Sequence, residues 1–112
     1  MNIEIKKNAE GIQLITLQGD LDFHSTPQLR TELSKLAEAQ TSKILVDLKK
    51  VNYIDSSGLA AFVELFQKMK RYGGKLILFN LTQAVRSVFE IAKLDTIFRL
   101  ASSEKEALTL VS

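Results

Sequence analysis

The chain has 112 residues, 46% apolar and 25% charged, which fits one globular domain and excludes disordered, collagenous and low-complexity classes. It has no cysteine and one histidine, which excludes a disulfide framework, a thiolate metal site, a Cys nucleophile and a histidine cluster for zinc. The formal net charge is +2, with −1 on the first 56 residues and +3 on the last 56, and neither half carries the dense basic stripe of a nucleic-acid binder.

Met1-Asn2-Ile3-Glu4 places an acid where a signal peptide needs an apolar core, so a cytoplasmic protein is expected. Ile3 and Ile5 alternate with Glu4 and Lys6, the pattern of a half-buried strand. Asn8 to Gly11 is turn-like, and Ile12 to Leu17 is again rich in β-branched and apolar residues, so a hairpin is expected. A loop follows at Gly19-Asp20-Leu21-Asp22. Ser25-Thr26-Pro27-Gln28 reads as a helix start, with Thr26 capping ahead of Pro27 or Ser25 boxing with Gln28. Leu29, Leu33, Leu36 and Ala37 then mark one apolar face.

Lys43 to Leu48 is mostly continuous and apolar, as a central strand is, and its run Ile44-Leu45-Val46 is far too short to insert into a membrane. After Val51-Asn52-Tyr53-Ile54 comes Asp55-Ser56-Ser57-Gly58, then a helix stripe of Leu59, Phe62, Val63, Phe66 and Met69. Tyr72-Gly73-Gly74 is a left-handed stop. Lys75 to Phe79 is a strand, and Val85, Val88, Phe89 and Ala92 mark a third helix. Ile97 to Leu100 fits a short strand, and Ser103 and Glu106 have capping-box spacing for a last helix carrying Ala107, Leu108 and Val111. The order β-β-α-β-α-β-α-β-α predicts one α/β domain over 1–112. Its sheet is mixed but largely parallel, with four to five strands and about four helices.

Two polar clusters are candidates for chemistry. At Ile54 to Leu59 a strand ends and a helix begins, where unpaired N–H groups and the helix dipole favour an anion. Ser56 or Ser57 is therefore suited to carry a phosphoryl group, and Gly58 permits close backbone approach. The same Asp-Ser-Ser-Gly is also an ordinary helix cap. Asp20 and Asp22 are spaced to bind Mg²⁺ or to shape a site, but spacing alone favours turn formation through Asx hydrogen bonds. Leu21, Phe23 and Leu59 flank the two clusters and form a partner-binding patch if they lie outside the core. Asp47 interrupts the central apolar run and needs a partner if buried. His24 reads as a loop residue. No Gly-rich phosphate loop and no nucleophile–base–oxyanion set is visible, so the chain does not read as an enzyme, and no cofactor or metal is expected.

Three segments resemble the STAS domain family, specifically its bacterial anti-sigma factor antagonists. They are Gly19-Asp20-Leu21-Asp22, Val51 to Leu59 with its Asp55-Ser56-Ser57-Gly58-Leu59, and Tyr72-Gly73-Gly74. The resemblance implies phosphorylation of Ser56, with Ser57 a secondary candidate, by an anti-sigma factor that is also a Ser/Thr kinase. It matches Asp22 to the acid that contacts the kinase and Gly58 and Leu59 to the docking surface. Asp20, Leu21, Phe23, Asp55 and Ser57 complete the expected partner-binding set. By the same resemblance the unmodified protein binds the anti-sigma factor and frees the sigma factor, the phosphorylated form does not bind, and a PP2C-type phosphatase resets it. Two other readings compete. A receiver-like phosphoacceptor would use Asp47 or Asp55 with Mg²⁺, and a STAS subunit of a membrane transport system would need no phosphorylation, since one fold hosts several functions.

Overall fold

The hairpin opens the structure, a computed structural model that describes residues 1–112. β1 (Asn2–Lys7) pairs antiparallel with β2 (Gln13–Gln18), with Ile3 opposite Leu17 and Ile5 opposite Ile15. The Asn8 side chain closes the turn by accepting from the amides of Glu10 and Ile12, both at 2.9 Å, and Gly11 supplies the positive φ of +83° that the turn requires.

From β2 onward the chain alternates: α1 (Thr26–Glu38), β3 (Lys43–Lys50), α2 (Ser56–Arg71), β4 (Lys75–Phe79), α3 (Gln83–Ile91), β5 (Arg99–Ala101) and α4 (Glu104–Val111). The strands lie in sequence order, β1-β2-β3-β4-β5, and every pair after the first is parallel. The mixed, largely parallel sheet and the predicted element order are both found. β3 is central, as its continuous apolar run implies.

Sequential order explains the layers. Crossovers of one hand that always step the same way place their helices on the same face. Accordingly, Ile44, Val46 and Leu48 of β3 and Leu76 and Leu78 of β4 share one core with Leu29 and Leu33 of α1, Phe62 and Leu65 of α2, and Val85 and Phe89 of α3. Leu45, Ile77 and Phe79 point to the other face, where only α4 covers them with Ala107 and Val111. This order lacks the strand reversal that creates a ligand crevice in doubly wound sheets, and it differs from the order 2-1-3-4-5 of flavodoxin- and receiver-type folds.

Local signals are met in part. At the end of α2 the amide of Gly74 reaches Met69 O at 2.8 Å and that of Gly73 reaches Lys70 O at 3.3 Å, with Gly73 at φ +79°, so the left-handed stop is a Schellman motif. Ser103 Oγ caps α4 through the Glu106 amide, while Glu106 reaches back to Ser102 N rather than to Ser103. β5 begins two residues later than its apolar pattern suggests, because Phe98 is buried in the helical core beside Phe66 and Phe89. Asp47 is half-buried in β3, and its Oδ1 accepts from Lys49 N and Asn80 Nδ2.

Candidate functional site

The two polar clusters meet at one edge of the sheet. An isolated parallel bridge joins Leu21 to Ile54, with Leu21 N donating to Tyr53 O at 2.9 Å and Asp55 N to Leu21 O at 3.0 Å. The loop after β2 is thereby fastened to the segment that starts α2. Gly58 makes the seat possible. A Cβ there would meet Ile54 Cγ1 at 2.8 Å and Leu21 O at 3.0 Å, so the helix comes close only because this position has no side chain.

Each loop is organised by its own carboxylate. Asp22 Oδ1 accepts from the amides of His24 and Ser25, both at 3.0 Å, and Ser25 Oγ donates to Asp20 O at 2.6 Å. Asp22 is thus the turn former that spacing favoured. Neither Ser25 nor Thr26 caps α1 in the expected way. Ser25 holds the N-cap position without a side-chain cap bond, and Thr26 donates backwards to Asp22 O at 2.6 Å.

Asp55 caps α2 from an extended backbone. Its Oδ1 accepts from Ser57 N at 2.9 Å, Gly58 N at 3.2 Å and Ser57 Oγ at 2.6 Å. The Ser57 hydroxyl is the main influence holding the Asp55 carboxyl below its ordinary range; partial burial opposes it, and the amides of Gly58 and Ser57 assist. Asp22 is lowered too, first by the Ser25 amide against a desolvation cost. Both groups therefore carry full negative charge near neutral pH.

The two serines differ. Ser56 is the first residue of α2, its side chain is exposed, and no group of the chain hydrogen-bonds its hydroxyl. Ser57 is half-buried and engaged by Asp55, with Thr26 Oγ1 at 3.3 Å on its other side. Phe23 is 67% exposed and Tyr53 51% exposed, one on each fastened loop, and the His24 ring lies 4.1 Å from that of Phe23. None of the surface cavities has Asp22, Asp55, Ser56 or Ser57 in its wall, so the free hydroxyl stands on an open surface.

Two of the expected contact residues are buried. Leu21 is fully buried, because its side chain packs inward from the bridge to Ile54, and Gly58 is buried beneath the same bridge. Both build the site and neither offers a side chain to a partner. Leu59 is half-buried, while Asp20 and Phe23 are exposed. Tyr53 and Thr26 also lie at this edge without a distinguishing sequence signal: Tyr53 is one residue of the Val51 to Leu59 segment, and Thr26 resembles an ordinary cap.

A fold of this order, with a capped Asp-Ser-Ser-Gly turn at one edge, defines a STAS-type domain, and the STAS domain model matches residues 2–107. The chain belongs to the STAS domain family. It is 36% identical over 105 residues to the anti-sigma-B factor antagonist of Bacillus subtilis, an alignment covering 94% of each chain. Among solved structures, an anti-sigma factor antagonist from Mycobacterium paratuberculosis superposes with a TM-score of 0.89 at 21% identity, covering 98% of this chain and 92% of the other. The Bacillus cell fate determinant SpoIIAA in its phosphorylated form superposes with a TM-score of 0.76 at 24% identity, covering 99% and 100%. No helix is long and apolar enough to cross a membrane.

Proposed function

We propose that this chain is an anti-sigma factor antagonist switched by phosphorylation at Ser56. In its unmodified form it docks on an anti-sigma factor of the Ser/Thr kinase type in the cytoplasm and so frees the sigma factor. The kinase transfers a phosphoryl group to Ser56, docking ends, and a PP2C-type phosphatase restores the hydroxyl. The chain itself is a binding module and brings no cofactor.

The observation that carries this reading is the contrast between the serines: Ser56 is exposed and unbonded at the head of α2, while its neighbour is tied down. A phosphoryl group adds about −1.5 to −2 charges and three acceptor oxygens. Placed on the first residue of a helix, it is tolerated by the fold, because the dipole and free amides there favour negative charge. Placed on a surface already holding ionised Asp22 and Asp55, it makes that surface repel any acidic partner. Phe23 and Tyr53 supply apolar area on either side. A local change of charge is then sufficient, with no rearrangement of the sheet.

The test is affinity capture from lysate of the source organism with three baits: the unmodified chain, Ser56→Ala and Ser56→Asp. The first two retain a protein with a kinase fold, and the third loses it. After incubation of that protein with ATP, mass spectrometry finds phosphate on Ser56. Equal capture by all three baits, or phosphate outside the Asp55-Ser56-Ser57 segment, contradicts the proposal.

A further inference from the structure

Thr26 is the only polar residue among the buried set, at 1% exposure, and its hydroxyl lies against the phosphorylation segment 31 positions away. We infer that Thr26 and Ser57 are positioning residues whose hydroxyls, together with Asp55, decide which of the two adjacent serines accepts phosphate. The inference rests on the switch proposed above and goes beyond it, because exposure alone leaves a half-buried Ser57 available to a kinase.

The bonds fix the direction of each proton. Ser57 Oγ donates to Asp55 Oδ1 at 2.6 Å, and Thr26 Oγ1 donates to Asp22 O at 2.6 Å. The 3.3 Å contact between Thr26 Oγ1 and Ser57 Oγ is longer than either, so it closes one side of Ser57 without taking its proton. An acceptor serine must release its proton while its oxygen bonds to the γ-phosphorus and the leaving diphosphate departs. Ser57 Oγ is committed to a carboxylate on one side and walled by a buried hydroxyl on the other. The donating oxygen keeps both lone pairs, so position is what withholds it: to meet an incoming γ-phosphorus this half-buried oxygen must swing out from between Asp55 and Thr26, breaking the 2.6 Å bond that also helps hold the α2 cap. Ser56 has neither constraint.

The contacts also join the two segments. Asp22 O, Thr26, Ser57 and Asp55 connect the loop before α1 to the first turn of α2. Thr26 therefore packs the loop after β2 against the acceptor turn without touching the acceptor itself.

Two measurements test this. The first needs no partner: NMR coupling constants report the Ser57 side-chain rotamer. One fixed rotamer is expected in the unmodified chain, averaging in Thr26→Ala, which removes the wall, and one rotamer again in Thr26→Ser, which keeps the hydroxyl. A Ser57 rotamer averaged in the unmodified chain, or unchanged in Thr26→Ala, overturns the inference. The second uses the kinase captured by the unmodified bait. Ser56→Ala is expected to take phosphate at least a hundredfold more slowly than the unmodified chain. Thr26→Ala/Ser56→Ala, checked to be folded by circular dichroism, is expected to recover at least tenfold of that loss, with the phosphate on Ser57. Ready phosphorylation of Ser57 in Ser56→Ala, or no recovery in the folded double variant, overturns the inference. Failure of the unmodified chain to be phosphorylated at all counts against the switch itself, while the rotamer result continues to judge the positioning of Ser57.

Discussion

Replacing Gly58 by alanine tests how tightly the two loops are fastened. The added methyl would lie 2.8 Å from Ile54 Cγ1, 3.0 Å from Leu21 O and 3.1 Å from Leu21 Cβ. The Ile54 side chain can rotate away, but Leu21 O is backbone and is held by the Asp55 amide at 3.0 Å. Relief therefore requires the bridge between Leu21 and Ile54 to open or the first turn of α2 to shift outward. Overpacking of this kind costs about 1–3 kcal/mol. Alanine returns about 0.5–1 kcal/mol through its lower backbone entropy in a helix. The net loss centres on about 1 kcal/mol, which lowers the melting temperature by about 4–8 °C for a domain of this size. Calorimetry reads the shift, and hydrogen exchange shows where it falls. The amides of Leu21 and Asp55 exchange faster relative to those of β3. A Gly58→Ala chain as stable as the unmodified one, with Leu21 and Asp55 equally protected, refutes the close seating of α2.

Asp55→Ala removes the cap of α2 and costs about 1 kcal/mol in urea unfolding, the usual size for a lost N-cap. The cap also sets a pH dependence. The folded carboxyls of Asp55 and Asp22 lie below the ordinary value of 3.8, so their contribution to stability is present above that value and is lost as pH falls through the depressed folded values. Carbon-detected titration of Ser57→Ala shifts the Asp55 midpoint upward toward 3.8, since the Ser57 hydroxyl is its largest lowering influence. Phe23→Ala changes stability by no more than about 0.5 kcal/mol, as exposed positions do. It weakens capture of the partner at least about tenfold, or about 1.4 kcal/mol. Phe62→Ala, by contrast, empties a fully buried position in the helical core and costs about 3–5 kcal/mol in denaturant unfolding.

What could be read in advance follows from the physics of each signal. Helix and strand order was legible because Leu29, Leu33 and Ala37, or Phe62 and Met69, recur with the period of the face they bury. The Asp55 cap and the Gly73 stop were legible because each satisfies backbone groups only a few residues away. The inward turn of Leu21 was not, because it depends on a bridge to Ile54 formed across 33 positions. The start of α1 at Ser25-Thr26-Pro27 was legible, but its cap bonding was not, for a related reason. Asp22 takes the Ser25 amide, and Thr26 is drawn back to Asp22 O, so the local cap pattern is overridden by the turn before it. The contact from Thr26 to Ser57 is tertiary, and no spacing along the chain encodes it. The Asp55-Ser56-Ser57-Gly58 motif was visible, and the environment that separates its two serines was not.

The central claim is settled most directly by calorimetric titration of the captured kinase-type partner with this chain carrying phosphoserine at Ser56, set beside the unmodified chain. A binding loss of about 3 kcal/mol, or about a hundredfold in Kd, is predicted, with an unchanged circular dichroism spectrum. Equal affinity of the two forms contradicts the account.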